Sequence, residues 1–321
     1  MSKLNSYVEQ AGSIVILGHV NPDGDCAGSC LAVFNYLREV FPEKTVDVYL
    51  EPVSGKFSYL AGYDQIQHEL NDKTYELCIC MDSSDKERLG DFVRYFDTVK
   101  RTLCIDHHVT NKGYAEDNII DGTASSACEL LFTLLEEELV SKAVAECIYT
   151  GLVHDTGVFK HSNTTQRTME VAGKLISKGI DFGSIVDDSF FRKTYHQTQI
   201  LGRALLESVF FMDKQCIFTV IRKKDMEFYG VEKSDLDGIV DQLRVIEGVE
   251  VAIFLYEVDV HSYKVSMRSN KKVDVSRIAA CFGGGGHVRA AGCTMSGSPH
   301  DVINNLSEYI EKQLEQENTD A

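Results

Sequence analysis

Apolar and polar positions along the chain fall into two textures. Over the first half, short apolar runs rich in β-branched residues alternate with stretches in which apolar residues recur at helical spacing. SIVILGH (13–19), VDVYL (46–50), ELCICMD (76–82) and RTLCID (101–106) predict strands. Between the first two, residues 26–40 place Leu31, Phe34 and Leu37 at helical intervals. Ser126 and Glu129 stand in the S-x-x-E form of a capping box ahead of the apolar run LLFTLL, which predicts a helix start. Strand and helix in alternation predict an α/β domain, a parallel sheet with helices on both faces.

Beyond about residue 185 the texture changes. Residues 190–211 (FFRKTYHQTQILGRALLESVFF) predict a connecting stretch leading into a helix. CIFTVI (216–221), VEVAIFLYEV (249–258) and YKVSMRS (263–269) predict strands, with a helix over 234–246. This is the pattern of a smaller α+β domain, ending in a polar helix and a disordered tail, QENTDA. A length of 321 residues agrees, being too long for one ordinary core. The chain has neither an internal repeat nor a low-complexity stretch.

Composition narrows the picture. Hydrophobic content of 44% and charged content of 25% are those of a soluble globular protein. No apolar stretch approaches the ~20 residues that span a bilayer, and MSKLNSYVEQ has no signal-peptide core, so no membrane partner is expected. The ten cysteines are scattered without a C-x-x-C pair, which predicts reduced thiols and a cytoplasmic location. Cys26 and Cys30, four apart on the first predicted helix, read as core packing. The formal net charge of −17 disfavours long duplex nucleic acid as a partner. An anionic substrate must then be attracted locally, by metal or by a small basic patch.

The chemistry gathers where the predicted strands end. The first runs out into GHVNPDGD, carrying His19, Asp23 and Asp25, with Pro22 and Gly24 allowing a tight turn. The third ends in Asp82 of CMDSSD, and the fourth in Asp106, His107 and His108 of CIDHHVTN. A later segment, YTGLVHDTGVFKHS, brings Asp155. In a parallel sheet the carboxyl ends share one edge, where ligands bind. One acidic strand end is ordinary; four such segments on one rim are not. Converging carboxylates repel one another unless cations lie between them. Two divalent ions, about 3.5–4 Å apart with a bridging carboxylate, solve that problem and activate a water for in-line attack on phosphorus. Mixed histidine and aspartate donors suit manganese better than magnesium. The chemistry predicts a two-metal phosphoesterase.

The set GHVNPDGD, MDSSD, DHH and HDTG resembles the four N-terminal motifs of the DHH phosphoesterase superfamily. FGGGGHVRAAG (282–292) resembles the glycine-rich signature of the DHHA1 domain. Together they match best the short two-domain subgroup of bifunctional oligoribonucleases and pAp phosphatases, the NrnA type. A manganese pyrophosphatase would lack GGGGH, and a RecJ-like nuclease would need a longer chain. The resemblance implies a DHH catalytic domain over residues 1–185, a helical linker over 186–205 and a DHHA1 substrate-binding domain over 206–321, with the active site in the cleft between the domains. It implies that His19, Asp23 and Asp82 hold one metal, and that Asp25, Asp82, His107 and Asp155 hold the second, Asp82 bridging. His108 would face the phosphate and assist the leaving oxygen, with Asp106 orienting the histidines. His154 stands where a hydroxyl-bearing or aromatic residue is commoner, and Val288 where Lys or His is; His154 reads as a neighbour of the site.

The glycine run also has a reading of its own. Gly283, Gly284, Gly285 and Gly286 would expose backbone N–H groups to a phosphate or base. His287 and Arg289 add donors, and Arg268 and Ser269 close the neighbouring strand YKVSMRS. With the resemblance, these residues form a clamp for the nucleotide end of the substrate. The expected substrates are short RNA oligonucleotides of about two to five residues, because repulsion grows with each added phosphate, together with 3′-phosphoadenosine 5′-phosphate (pAp). The alternatives are the linear dinucleotides pApA and pGpG, or a nucleotide-binding protein without catalysis, against which the intact ligand set weighs. A homodimer is compatible with the sequence.

Overall fold

The computed structural model describes residues 3–319. The chain divides into two compact units, Met1–Arg192 and Lys193–Ala321. The first runs α1 (Lys3–Val8), β1 (Ser13–Leu17), α2 (Gly24–Val40), β2 (Thr45–Tyr49), β3 (Leu77–Met81), α3 (Val93–Thr98), β4 (Arg101–Asp106) and β5 (Asp117–Ile120). Then follow α4 (Ala127–Phe132), α5 (Lys142–Asp155), α6 (Gln166–Ser177) and α7 (Phe182–Val186). The strands form one parallel sheet in the order β2-β1-β3-β4-β5, with Ile14 opposite both Val46 and Leu77.

Successive residues of a strand point to opposite faces, and both faces of this sheet are covered. Ile14, Ile16, Ile79 and Met81 enter one core beside Leu31 of α2 and Ile148 of α5. Val15, Leu17, Cys78 and Cys80 enter the other, with Tyr49, Phe92 and Tyr95. That is why these strands read as unbroken apolar runs. The strand order reverses at β1, so the crevice beyond the carboxyl ends of β1 and β3 is the topological switch point of the sheet, the default ligand position.

The second unit runs α8 (Tyr195–Leu206), β6 (Val209–Phe211), β7 (Cys216–Ile221), α9 (Lys223–Tyr229), α10 (Ile239–Arg244), β8 (Val251–Asp259) and β9 (Ser262–Ser269). It closes with α11 (Val275–Cys281), β10 (Gly285–His287), β11 (Ala290–Ser296) and α12 (Pro299–Thr319). Its sheet has the order β10-β11-β9-β8-β7-β6, antiparallel except for β7 against β8. The helix expected over 234–246 is broken, because Gly238 takes a left-handed φ of 84° and α10 restarts behind it. The expected tail QENTDA is helical as far as Thr319, while Asp320 and Ala321 lie outside the described residues.

Candidate active site

The switch-point crevice collects the charged residues of four segments. After β1 the chain reaches His19, which is 4% exposed. Its Nδ1 lies 2.8 Å from the Val20 carbonyl. A carbonyl only accepts, so Nδ1 carries the proton and Nε2 is left as the free donor atom. Nε2 lies 3.5 Å from Asp82 Oδ2 and 3.8 Å from Asp23 Oδ1. Asp23 is the N-cap of α2, accepting from the amides of Asp25 and Cys26, as the turn chemistry of NPDGD favours. Asp25, in the first turn of the helix, is wholly buried. Its carboxylate accepts from the Ala127 and Cys128 amides at the start of α4. Gly151 permits this approach, since a Cβ there would lie 2.5 Å from Asp25 Oδ1.

Asp82 follows β3 in a left-handed conformation, φ 54°, a strained choice for a non-glycine residue and one that clusters at functional sites. The side chain is 2% exposed, and its Oδ1 has no hydrogen-bond partner. His107 repeats the pattern of His19: Nδ1 reaches the Ala124 carbonyl at 3.4 Å. Its Nε2 faces Asp155 at 3.1 Å, Asp82 at 3.6 Å and Asp25 at 3.9 Å. Asp155 arrives at the end of α5 rather than at a strand end. His108 is turned differently, with Nδ1 bonded to Asp106 Oδ1 at 2.8 Å, so Nε2 is its free end. The other Asp106 oxygen accepts from Asn111 Nδ2 at 2.7 Å.

The electrostatics follow from this crowding. Burial, with the charges of Asp82 and Asp155 added, pushes the Asp25 carboxyl well above the usual carboxylate range. Burial also pushes Asp82 up. Burial opposes charging of His19, but the Asp23 and Asp82 carboxylates outweigh it and raise the imidazole. The Asp106 hydrogen bond raises His108. Burial would lift Asp106, yet His108 and Asn111 hold it below its ordinary value. Three overlapping groups of possible ligands result among the described residues: His19, Cys26 and Asp82; Asp82, His107 and His108; Asp25, His107 and Asp155. In each, the donor atoms lie within 4.8 Å of one another. The set fits divalent cations. The buried Asp82 Oδ1 has no other partner, and both histidines show the carbonyl-anchored Nδ1 that orients a metal ligand.

Three supporting elements have no local sequence signal or only half of one. Asn111, the last residue of DHHVTN, ties Asp106 to the Ser83 carbonyl. Ser126 caps α4 through the Glu129 amide as expected, but the Glu129 side chain does not return to the cap. It binds Ser125, Thr168 and Arg167 instead. The His154 ring lies on Gly24, where a Cβ would come within 2.2 Å of it, and donates or accepts at Ser189. It is a packing neighbour of the ligand loop.

The second-unit residues are arranged differently. The amides of Gly283 and Gly284 bond back to Ala280 and Ala279, closing α11. Gly285 and Gly286 pair with Gly292 and Ala291 in the β10–β11 ladder. An added Cβ at Gly284 would lie 2.1 Å from the Gly292 carbonyl, whereas one at Gly285 would meet nothing. Arg289 donates to the carbonyls of Lys271 and Val273. Ser269 is buried and also donates to the Val273 carbonyl. Arg268 is half-committed, to Asp241 and to the Met267 carbonyl. His287 is exposed on β10.

Comparison with known proteins gives the family. Residues 13–152 match the DHH family, N-terminal domain, and residues 213–316 match the DHHA1 domain. The chain is 30% identical over 291 residues to the bifunctional oligoribonuclease and PAP phosphatase NrnA of Bacillus subtilis, covering 88% of this chain and 89% of that one. The protein of the same name from Thermus thermophilus is also 30% identical, over 313 residues, covering 94% and 90%. Among solved structures, an exopolyphosphatase-related protein from Bacteroides fragilis superposes with a TM-score of 0.87 at 27% identity, covering 96% of this chain and 94% of that one. The chain therefore belongs to the DHH/DHHA1 phosphoesterase superfamily, in its NrnA-type branch.

Proposed function

We propose that the protein is a metal-dependent phosphoesterase that degrades short oligoribonucleotides to mononucleotides and removes the 3′-phosphate of pAp. The carrying observation is Asp82, a buried carboxylate with an unpartnered oxygen, standing between His19 on one side and His107 and His108 on the other. His19, Asp23 and Asp82 would hold one cation, and Asp25, Asp82, His107 and Asp155 a second. Two such cations, manganese being preferred, would supply Lewis-acid polarisation of the phosphoryl oxygens and a more acidic water. His108 donates a proton from Nε2 to the leaving oxygen, while Asp106 holds its Nδ1–H and stabilises the charged imidazole. Asn111 keeps Asp106 from turning away.

In the second unit, Arg268 and His287 meet the nucleotide. Gly283 to Gly286, Ser269 and Arg289 shape the surface on which they stand. The absence of any long basic track keeps the substrate short. No helix among the described residues is long and apolar enough to cross a membrane.

The test is a substrate panel with manganese: pAp, RNA of two to five residues, RNA 20-mers, pApA and pGpG. Turnover of pAp and RNA dimers well above that of 20-mers is expected. Faster turnover of 20-mers, or of pApA and pGpG to the exclusion of pAp and RNA, would overturn the assignment.

A further inference from the structure

The glycine motif of the second unit leaves few donors for a phosphate, since Arg289, Ser269 and the amides of Gly283 and Gly284 are spent on backbone carbonyls. Next to it lies a cavity of about 590 Å³, between the segment joining α10 to β8 and the segment that follows β9. Arg289 touches its wall by donating to the Lys271 carbonyl. The size is that of a small-molecule pocket. Arg244, Lys271 and Lys272 line it, with Val245 and Ile246 as apolar neighbours. Glu250, 8% exposed, accepts from the amides of Lys271, Lys272 and Val273. The backbone of the two lysines is thereby turned inward, and both side chains are exposed. Neither ammonium has an ion-pair partner among the described residues.

Arg244 is held in place from two sides. Asn270 Oδ1 accepts from its Nη1 at 3.1 Å, while Asn270 Nδ2 donates to the carbonyls of Arg244 and Val249. Arg244 also shares Asp241 with Arg268, the two Nε atoms lying 3.6 and 3.3 Å from the same Oδ1. The basic wall is thus continuous with Arg268. Glu250 is saturated by amides, which leaves Glu247 as the exposed carboxylate facing three cations. In a chain of formal net charge −17, such a local excess of positive charge draws an anion.

We infer that this cavity is a second phosphate subsite, in which Arg244, Lys271 and Lys272 hold a backbone phosphate of the oligonucleotide other than the one being hydrolysed. The inference rests on the oligonucleotide reading above. Val245 and Ile246 offer the adjoining sugar or base an apolar surface. Phosphate contacts carry no sequence information, so the subsite adds affinity for short RNA without base preference. Three cations on one wall also set a limit: residues beyond the groove gain nothing further from it.

Steady-state kinetics of the full-length protein with manganese read this directly, using RNA trimers of mixed sequence and bis-p-nitrophenyl phosphate, which has a single phosphate. In the double variant Lys271→Gln, Lys272→Gln, KM for trimers should rise roughly tenfold with kcat little moved, and KM for bis-p-nitrophenyl phosphate should not follow. The slope of log KM against log salt should fall by about 0.7 for each lysine removed. Arg244→Gln should act in the same direction, and Lys271→Arg with Lys272→Arg should restore trimer KM, since the charge is kept. Unchanged trimer KM and salt slope in the glutamine variants overturns the subsite and leaves the metal-dependent function standing. A wild type that hydrolyses bis-p-nitrophenyl phosphate but no RNA trimer overturns the oligonucleotide reading and the subsite together.

Discussion

At the sheet edge of the first unit, the charged candidate ligands stay incompletely satisfied, whereas the glycine motif of the second unit has most of its polar groups tied into the fold. Asp25 and Asp82 sit in mutual repulsion at almost zero exposure. Around β10, by contrast, Arg289, Ser269 and the amides of Gly283 and Gly284 each have a backbone partner. The first arrangement is what a cation site requires before its cation arrives. The second builds a shaped surface whose specificity depends on backbone position. Removing a group from the rim should therefore cost activity and relieve strain, while disturbing the motif should cost binding and stability together.

The sharpest way to break this contrast is Asp82→Asn. Hydrolysis should fall by roughly 10³ or more, on the scale of losing a main charge stabiliser, with loss of bound metal by elemental analysis. The chelated variant should nonetheless melt above the chelated wild type. The sign also follows with pH. Burial raises the folded-state Asp82 carboxyl above its ordinary 3.8. A carboxyl raised on folding adds stability at low pH that disappears as pH climbs through the folded value. The advantage of Asp82→Asn in melting temperature should thus widen from pH 4 upward, as calorimetry of chelated protein can follow; equal melting at every pH would contradict it. A smaller effect is expected for Asn111→Ala. Loss of the Asp106 anchor should lower kcat about 10–100-fold, with metal content unchanged; a matching loss of metal would make Asn111 part of the cation site instead. Smallest in rate is the glycine pair. Gly284→Ala should raise KM for RNA dimers several-fold and lower the melting temperature, with bis-p-nitrophenyl phosphate turnover retained. Gly285→Ala, which meets nothing, should do neither, and equal effects would remove the distinction.

Much of the first unit is legible in the sequence because its sheet is buried on both faces. The runs at 13–19, 76–82 and 101–106 correspond to β1, β3 and β4, and each candidate ligand follows or ends an element so marked. Asp155 is the instructive exception: its segment, KAVAECIYTGLVHD, is helix α5, and only tertiary packing through Gly151 delivers it. β5 is four residues with two polar ones, β10 is two glycines and a histidine, and β11 is mostly small residues, so none of the three carries a clear periodic signal. The partners that orient the site are harder still. Asn111 to Ser83 spans 28 positions, and Arg167 to Glu129 spans 38; pairing at such range is fixed by the fold.

The order of the candidate ligands along the chain has a consequence for biogenesis. They run from His19 to Asp155, and no nascent fragment ending before residue 155 carries the full set. A polypeptide emerging at about 5–20 residues per second must therefore form the crossovers of a parallel sheet, intrinsically slow pairings, with its carboxylates still unneutralised. Unlike a zinc finger, whose metal seeds the fold, this unit has a full apolar core on each sheet face to fold with. On the proposed metal-dependent reading, cation capture would come last, on the finished scaffold, and cellular metal supply would govern the active fraction of the protein rather than its folded amount.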